Sequence, residues 1–335
     1  MSAKRLLGLL LVPFALLLGG CHKLVLLHPE GHVAQQQSDI MISTTIIIAL
    51  IIVPVLIAIG VVAWRYRASN KNARYDPKWD HSSQLELLVW AGPLLIIIAV
   101  GAVSWIGTHK TDPYRELDHT ELGHAADAVV KPLKVEVVSL RWKWLFFYPQ
   151  YGIATVNELA APVNRPIKFH LTSSDMMDAF FVPDLAGMIY TMPGMQTQLH
   201  AAIDKPGKYK GLSSNFSGDG FSHMHFWFYG MTKKDFGKWV AKVRAKGTDL
   251  TTGAYLKLAK DSIDEPVHYY NSYASGLYTR ILNQCVVPGQ VCISHHMMHS
   301  AKAPNYWQGD HSGEETAGET AASDASTSAA APAAH

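Results

Sequence analysis

The sequence predicts a membrane α-helical hairpin of two transmembrane helices, followed by an all-β sandwich with a small C-terminal helical appendix. Two long apolar runs without charge, at residues 40–64 and 87–108, predict the hairpin. Alternating apolar and polar residues from about Pro132 onward predict the sandwich. Helical spacing of apolar residues returns after Met231 and predicts the appendix.

The composition fits a chain that is partly embedded in lipid. Charged residues make up 17% of the sequence and hydrophobic residues 48%, which are low and high values for a soluble protein. The formal net charge of +2 is too small for a nucleic-acid-binding surface, so we expect no nucleic-acid partner. The 3 cysteines, Cys21, Cys285 and Cys292, are too few for a disulfide scaffold.

Residues 1–20 have the features of a bacterial signal peptide, with a basic start and an apolar segment up to Leu18. The sequence Leu18-Gly19-Gly20-Cys21 resembles the lipobox of bacterial lipoproteins, in which the cysteine is acylated and becomes the new N-terminus. We therefore expect lipidation at Cys21 and a lipidated periplasmic tether over residues 21–39. The alternative is an ordinary signal peptide followed by an incidental cysteine.

The runs at residues 40–64 and 87–108 are each long enough to cross the hydrocarbon core of a bilayer, which is roughly 30 Å thick. Pro54 and Pro93 lie inside them, and membrane helices tolerate proline. The alternative for each run is a buried helix of a soluble protein, against which the lack of any polar stripe argues.

The loop between the spans, residues 65–86, has an excess of positive charge. Because cytoplasmic loops are enriched in Lys and Arg, this loop is predicted to be cytoplasmic, with both chain ends in the periplasm. The expected location is therefore the bacterial inner membrane, crossed twice. The cations are Arg65, Arg67, Lys71, Arg74 and Lys78.

Residues 109–231 are predicted to form the periplasmic β domain. Leu133, Val135 and Val137 alternate with polar neighbours, as in a strand with one buried face. Residues 167–172, 195–201 and 224–229 are further candidate strands, and turn-forming residues separate them. Short strands at this spacing favour a sandwich.

Residues 232–300 are predicted to form the helical appendix and a loop. Thr232 can cap a helix whose apolar stripe is Phe236, Trp239, Val240 and Val243. A second short helix is expected near residues 255–258. Residues 301–335 have too little apolar surface to order themselves, so a disordered tail is expected there.

Several segments of the β domain resemble subunit II of the haem-copper respiratory oxidases, and in particular its quinol-oxidase branch. The resemblance extends from the lipobox to about residue 270 and implies a cupredoxin-like fold for the sandwich. The segments that carry it are residues 136–149 (EVVSLRWKWLFFYP), 152–158 (GIATVNE), 180–183 (FFVP) and 194–200 (GMQTQLH).

In the cytochrome c oxidase branch of that family, this domain holds a dinuclear copper centre. Its two bridging cysteines correspond here to Ser213 and Ser217, and its methionine to Met224. The glutamate corresponds to Asn215, and the two histidines correspond to Asp178 and Phe221. Because copper needs thiolate and imidazole ligands at such a centre, we expect no metal and no other cofactor on this chain.

The resemblance implies a non-catalytic subunit of a proton-pumping terminal ubiquinol oxidase. Haems and a copper ion are then expected in subunit I, which oxidises ubiquinol and reduces dioxygen. The implied partners are subunit I, other small membrane subunits and the lipid bilayer. The alternative is a membrane-tethered, cupredoxin-like assembly or copper-handling lipoprotein that is not part of an oxidase.

Glu86 lies at the cytoplasmic start of the second span. In the family, a subunit II carboxylate stands at the entrance of a proton pathway, so the resemblance implies this role for Glu86. A compatible interpretation is a capping box, Ser83-Gln84-Leu85-Glu86, at the start of the helix.

Other residues with reactive or aromatic side chains have structural interpretations. Trp142 and Trp144, two positions apart, are expected on one face of a strand and packed against the spans or subunit I. His223 and His225 are expected to point away from Met224 on a strand, which excludes a shared metal.

Cys285 and Cys292 are predicted to form a disulfide, because the periplasm is oxidising. The run His295-His296-Met297-Met298-His299 could bind copper, but the resemblance does not cover it and we assign it no function.

Overall fold

The computed structural model describes residues 24–74, 76–117 and 130–294. Two long helices come first, α1 (His32–Arg65) and α2 (Ser83–Lys110). Both are long and apolar enough to cross a membrane, and their most apolar parts are not buried against the rest of the chain. They contain the predicted spans and extend past them, since a helix can continue into the polar interface. The predicted signal peptide, Cys21 and the tail lie outside the described residues.

The two helices pack against each other as a hairpin. Gly107 of α2 lies against Ile40 of α1, where an added β-carbon would come within 2.7 Å of Ile40 Cδ1. At this end both helices are joined to the β domain: His32 N donates to Ala202 O at 3.2 Å, and His200 N donates to Pro113 O at 2.9 Å. The loop that connects the helices therefore lies at the end far from the sandwich.

The β domain is a sandwich of two sheets. The larger sheet has 7 strands in the order β11-β12-β3-β2-β1-β5-β8, and the smaller has 5 in the order β4-β10-β9-β6-β7. Most neighbouring strands are antiparallel, but β1 runs parallel to β5, β10 to β4 and β11 to β12. The strands are β1 (Leu133–Leu140), β2 (Lys143–Tyr148), β3 (Ile153–Val156), β4 (Glu158–Pro162), β5 (Ile167–Ser173), β6 (Asp178–Phe181), β7 (Ile189–Thr191), β8 (Thr197–Ala201), β9 (Gly207–Ser213), β10 (His225–Met231), β11 (Thr248–Leu250) and β12 (His268–Tyr273).

The C-terminal part contains the helices α3 (Lys233–Lys246), α4 (Thr252–Leu258) and α5 (Leu277–Leu282). The Thr232 side chain caps α3 by accepting a hydrogen bond from Asp235 N at 3.2 Å, and the predicted stripe of α3 is buried. This part is not purely helical as expected, because β11 and β12 extend the larger sheet next to β3. The sequence pattern does not predict β12, because its residues, HYYNSY, do not alternate between apolar and polar.

The central strands of the larger sheet are buried on both faces. One face, with Trp144, Phe146 and Tyr148 of β2, packs in the main core between the two sheets, which α3 also joins. The opposite face, with Leu145 and Phe147, forms a second core with α4, α5 and β12. All residues of β2 are therefore buried, and the C-terminal segment acts as a cover over the outer face of the sheet.

Lys143 is a charged residue that lies at the edge of this second core, with a side chain that is 1% exposed. Its Nζ donates to Leu258 O at 2.9 Å and to Lys260 O at 2.7 Å, and it also donates to Ser262 Oγ. Glu265 supplies the nearest carboxylate, 3.7 Å from Nζ. Burial lowers the pKa of Lys143, and the negative charge of Glu265 opposes that shift. The ammonium group thus fixes residues 258–265 to β2.

We predict that Lys143→Met lowers the free energy of unfolding by about 1–3 kcal/mol, because the buried Leu258 O and the partly buried oxygens of Lys260 and Ser262 would lose their donor. The measurement is denaturant unfolding of the full chain in detergent, with limited proteolysis of residues 258–265 as a local readout. The control is Lys257→Met, since Lys257 is exposed on the same segment. Equal stability of the two variants would contradict the role of Lys143.

Candidate functional site

The positions that correspond to copper ligands in the related branch lie together at one end of the smaller sheet. Asp178 begins β6, and its carboxylate accepts hydrogen bonds from Ser139 Oγ and, at 3.4 Å, from Ser213 Oγ. Ser213 ends β9, and its backbone N donates to Met224 O at 3.1 Å. The structure therefore brings Asp178, Ser213 and Met224 into one cluster, which we call the Asp178 cluster together with Ser139 and Ser217.

Asp178 is a fully buried carboxyl group, with 0% of its surface exposed. Burial raises its pKa above the ordinary value for aspartate, and the hydroxyls of Ser139, Ser217 and Ser213 oppose that rise by favouring the charged form. Ser217 acts through proximity, because its hydroxyl lacks a well-formed hydrogen bond in the described part of the chain. Ser139, Ser213 and Asp178 are thus linked by hydrogen bonds inside the sandwich.

The remaining two positions border this cluster. Asn215 Nδ2 donates to Met177 O at 3.0 Å, which ties the loop after β9 to the residue before β6. Phe221 lies in a 3-10 turn, and its ring meets Phe216 edge-on at a centroid distance of 5.6 Å. Phe216 is 76% exposed, so this corner of the domain presents an aromatic ring to its surroundings.

The donor set is unsuited to a dinuclear copper centre. Met224 offers a thioether, but the serine hydroxyls do not bridge copper as thiolates do, and the Phe221 ring has no ligand atom. Within residues 24–74, 76–117 and 130–294, no group of three or more His, Cys, Asp or Glu converges to hold a metal ion. What these residues can form is a hydrogen-bonded cluster.

Trp142 and Trp144 do not share a strand face, so that prediction is wrong. Trp142 lies in the turn between β1 and β2 with a left-handed φ of 60°, which breaks the alternation. Its Nε1 donates to Ser217 O at 2.9 Å, and its ring packs so closely on Gly220 that a β-carbon there would clash. Trp142 thereby holds the loop after β9.

Trp144 also lies elsewhere than expected. It is fully buried in the main core, with its ring 5.4 Å from Phe180 and 5.8 Å from Phe226. It therefore packs inside the sandwich and reaches neither the spans nor a partner subunit.

His223, Met224 and His225 do not lie on one strand, contrary to the expectation. His223 ends the 3-10 turn and His225 begins β10, while Met224 between them is buried. His223 Nδ1 lies 2.9 Å from Asp264 Oδ1, so this imidazole has a carboxylate partner.

Glu86 lies in the first turn of α2 and is exposed. The predicted capping box is wrong, because the helix begins one residue earlier than that motif requires. Ser82 is the N-cap, it makes no side-chain capping bond, and its carbonyl accepts from Glu86 N at 2.9 Å. The Glu86 carboxylate is thus left to project from the start of the span.

Cys285 and Cys292 are joined as a disulfide in the structure, just after α5. The run His295–His299 and the lipidation candidate Cys21 lie outside the described residues. Sequence reasoning missed Ser139 and Lys143. For Ser139 the available signal is its polar hydroxyl in an otherwise apolar stretch of β1, whereas nothing local marks Lys143 as buried.

Two family profiles match the chain. Residues 148–231 match the profile described as "Cytochrome C oxidase subunit II, periplasmic domain". Residues 244–289 match the "COX Aromatic Rich Motif", and these residues make up most of the cover over the larger sheet. The predicted fold, a helical hairpin with a cupredoxin-like sandwich and small C-terminal helices, is confirmed.

Two similar proteins align with most of the chain. The cytochrome bo(3) ubiquinol oxidase subunit 2 of Pseudomonas aeruginosa is 40% identical over 301 residues, which are 90% of this chain and 84% of the relative. The ubiquinol oxidase subunit 2 of Acetobacter aceti is 43% identical over 268 residues, 80% of this chain and 84% of the relative. Among solved structures, the periplasmic domain of subunit II of the Bradyrhizobium japonicum cytochrome oxidase aligns with 34% of this chain and 96% of its own, at 23% identity and a TM-score of 0.32.

We predict opposite effects for two replacements of Asp178. Asp178→Ala should lower the free energy of unfolding by about 1–3 kcal/mol, because it leaves buried hydroxyls without a partner. Asp178→Asn should be as stable as the parent at neutral pH or more so, because it keeps hydrogen-bonding groups and removes a buried charge. The measurement is thermal unfolding of the full chain in detergent.

The pH dependence follows from the raised pKa of Asp178. Below the pKa of the unfolded state the carboxyl is neutral in both states, and its contribution to stability is fully present. As pH rises through the higher pKa of the folded state that contribution is lost, so the advantage of Asp178→Asn should grow with pH and then level off. An advantage that shrinks as pH rises would contradict this assignment.

Proposed function

This chain belongs to the ubiquinol oxidase subunit 2 family, and we propose that it is the non-catalytic subunit II of a proton-pumping terminal oxidase that passes electrons from ubiquinol to dioxygen. Members of the family are parts of an oxidoreductase complex, and this chain is accordingly a membrane-anchored subunit of such a complex.

The donor chemistry of the Asp178 cluster is the observation that carries the proposal. A dinuclear copper centre needs soft bridging thiolates and imidazoles, and the residues present do not fit it. Ser139 and Ser213 donate hydrogen bonds to Asp178. No electron step is therefore assigned to this domain. We place quinol oxidation and oxygen reduction in subunit I, with its haems and copper.

The role left for the β domain is assembly and docking. Its partners in this proposal are subunit I and other small membrane subunits. The exposed apolar residues of α1 and α2 support a place for the hairpin beside such subunits, because these surfaces need lipid or other membrane helices to cover them. Leu50 and Trp90 are 71% and 78% exposed.

The charge of the loop supports a topology with the sandwich in the periplasm and residues 65–86 in the cytoplasm. The contacts that join both helices to the sandwich at the opposite end agree with this arrangement. In the layout we propose, a signal peptide (1–20) is removed, Cys21 is lipidated and residues 21–39 form a tether. The spans are 40–64 and 87–108, followed by the periplasmic domain (109–231), the appendix (232–300) and a disordered tail (301–335).

Glu86 is the proposed site of proton uptake on this subunit. Among the residues of α2 it is the one carboxylate, and it projects from the cytoplasmic end of the span in this topology. Ionisable residues at such positions are costly to place in a membrane, which favours a functional role.

The main test is purification of the full complex in mild detergent. We expect haem-containing polypeptides to co-purify, with oxygen consumption driven by ubiquinol and not by reduced cytochrome c. The isolated chain should lack the visible absorption of a mixed-valence copper–thiolate centre. A colourless chain that purifies alone would instead favour the cupredoxin-like lipoprotein, and cytochrome c oxidation would overturn the assignment to the quinol branch.

A second test addresses Glu86. We expect Glu86→Gln to lower kcat of the assembled complex without changing KM for ubiquinol, because proton delivery slows while quinol binding is untouched. The matched control is Glu86→Asp, which keeps the carboxylate and should retain most of the activity. If turnover and oxygen kinetics of Glu86→Gln equal those of the parent, Glu86 has no part in proton uptake.

A further inference from the structure

The segment that connects the two membrane helices carries concentrated positive charge. We call residues 65–82 the basic loop, and its cations are Arg65, Arg67, Lys71, Arg74 and Lys78. All five are exposed, and among the described residues none of them forms an ion pair with a carboxylate. The loop has two carboxylates, Asp76 and Asp80, and Asp80 lies 3.3 Å from His81 Nδ1. An excess of unpaired cations therefore borders the end of a membrane helix.

Arg67 is held at the level of the last turn of α1. Its guanidinium carbon lies 5.2 Å from the centroid of the Trp64 ring, Nη1 donates to Trp64 O at 3.3 Å, and Nε donates to Ser69 Oγ at 3.0 Å. Trp64 itself remains 71% exposed. An indole ring at a helix end favours the depth of the lipid head groups, so the stacked guanidinium is placed at that depth as well.

In the described part of the basic loop, two further aromatic side chains are exposed. Tyr66 and Trp79 are 55% and 64% exposed, so the protein does not cover them in the described structure. Amphipathic rings of this kind are stabilised where apolar and polar surroundings meet. Cations and rings together therefore match a surface that presents negative charge directly above an apolar layer.

We propose that the basic loop binds the phosphate groups of anionic phospholipids in the adjoining leaflet. Guanidinium and ammonium groups pair well with phosphate, and basic clusters next to a membrane helix are attracted to anionic lipid. The position of the loop at the end of two membrane helices favours lipid over a soluble anion. The assignment does not depend on which face of the membrane the loop occupies, nor on the function proposed above.

The test places the full chain in vesicles of equal parts phosphatidylglycerol and phosphatidylcholine. The protein is then released from the vesicles, and native mass spectrometry identifies the lipids that stay bound to it. We expect the retained lipid to be enriched in phosphatidylglycerol by roughly fivefold or more, the factor that corresponds to one basic residue near an anionic surface. The variant Arg67→Gln/Lys71→Gln/Arg74→Gln should return the ratio close to that of the vesicle. Added salt should weaken the enrichment of the parent.

The matched control removes the same charge from β9 and α3, as Lys208→Gln/Lys210→Gln/Lys238→Gln, and should keep the enrichment. If both triple variants lose it equally, overall charge rather than the basic loop attracts the lipid, and the proposal fails. It also fails if the parent retains the two lipids in the vesicle ratio, since the loop then has no preference for anionic lipid. Competition by millimolar inorganic phosphate would point to a free-anion site instead.

Discussion

Lys143 places a positive charge between the larger sheet and the C-terminal segment, and much of the domain depends on how that charge is satisfied. The central strands are buried on both faces, so the segment after β10 has to cover apolar residues that would otherwise meet water. Two backbone carbonyls and a serine hydroxyl surround the ammonium group, with Glu265 nearby. Such a buried charge is stable only with its full set of partners, so it specifies one position for the cover.

The Asp178 cluster joins positions that correspond to copper ligands in a related branch of the family. Its hydrogen bonds join β1, β6 and β9, and Trp142 adds a bond to the loop that follows β9. The bond between Asp178 and Ser213 connects two strands that carry ligand positions, and Ser139 adds a link to β1. The individual bonds are weaker than metal–ligand bonds, but they are buried and cooperate, and one of their acceptors is a carboxylate. Hydrogen bonds thereby hold this corner of the sandwich together.

The surface of the hairpin is suited to lipid, and the surface of the sandwich is suited to water. The surfaces of α1 and α2 are apolar and exposed, which is stable in a bilayer and unstable in water. The sandwich instead buries its apolar residues between and behind its sheets, and Lys143 is the lysine among the described residues that is buried with them. Close contacts at the ends of both helices join these two regions, so the domain is held next to the membrane by backbone hydrogen bonds as well as by the chain itself.

The sequence by itself determined the two long apolar helices, the cap at Thr232, the first strands of the sandwich and the residue types at the positions that correspond to copper ligands, because each depends on residue type or on local periodicity. Only the tertiary structure decided where Trp142 and Trp144 lie, since the left-handed turn at Trp142 interrupts the alternation on which the prediction relied. It also decided that Lys143 is buried and that β12 joins the sheet. Both outcomes depend on contacts with the C-terminal segment, which lies more than a hundred residues further along the chain. The local sequence pattern around Lys143 and β12 cannot predict contacts over that distance. The anchoring of the hairpin was likewise predictable from apolar length, whereas the stacking of Arg67 on Trp64 was visible only in the folded loop.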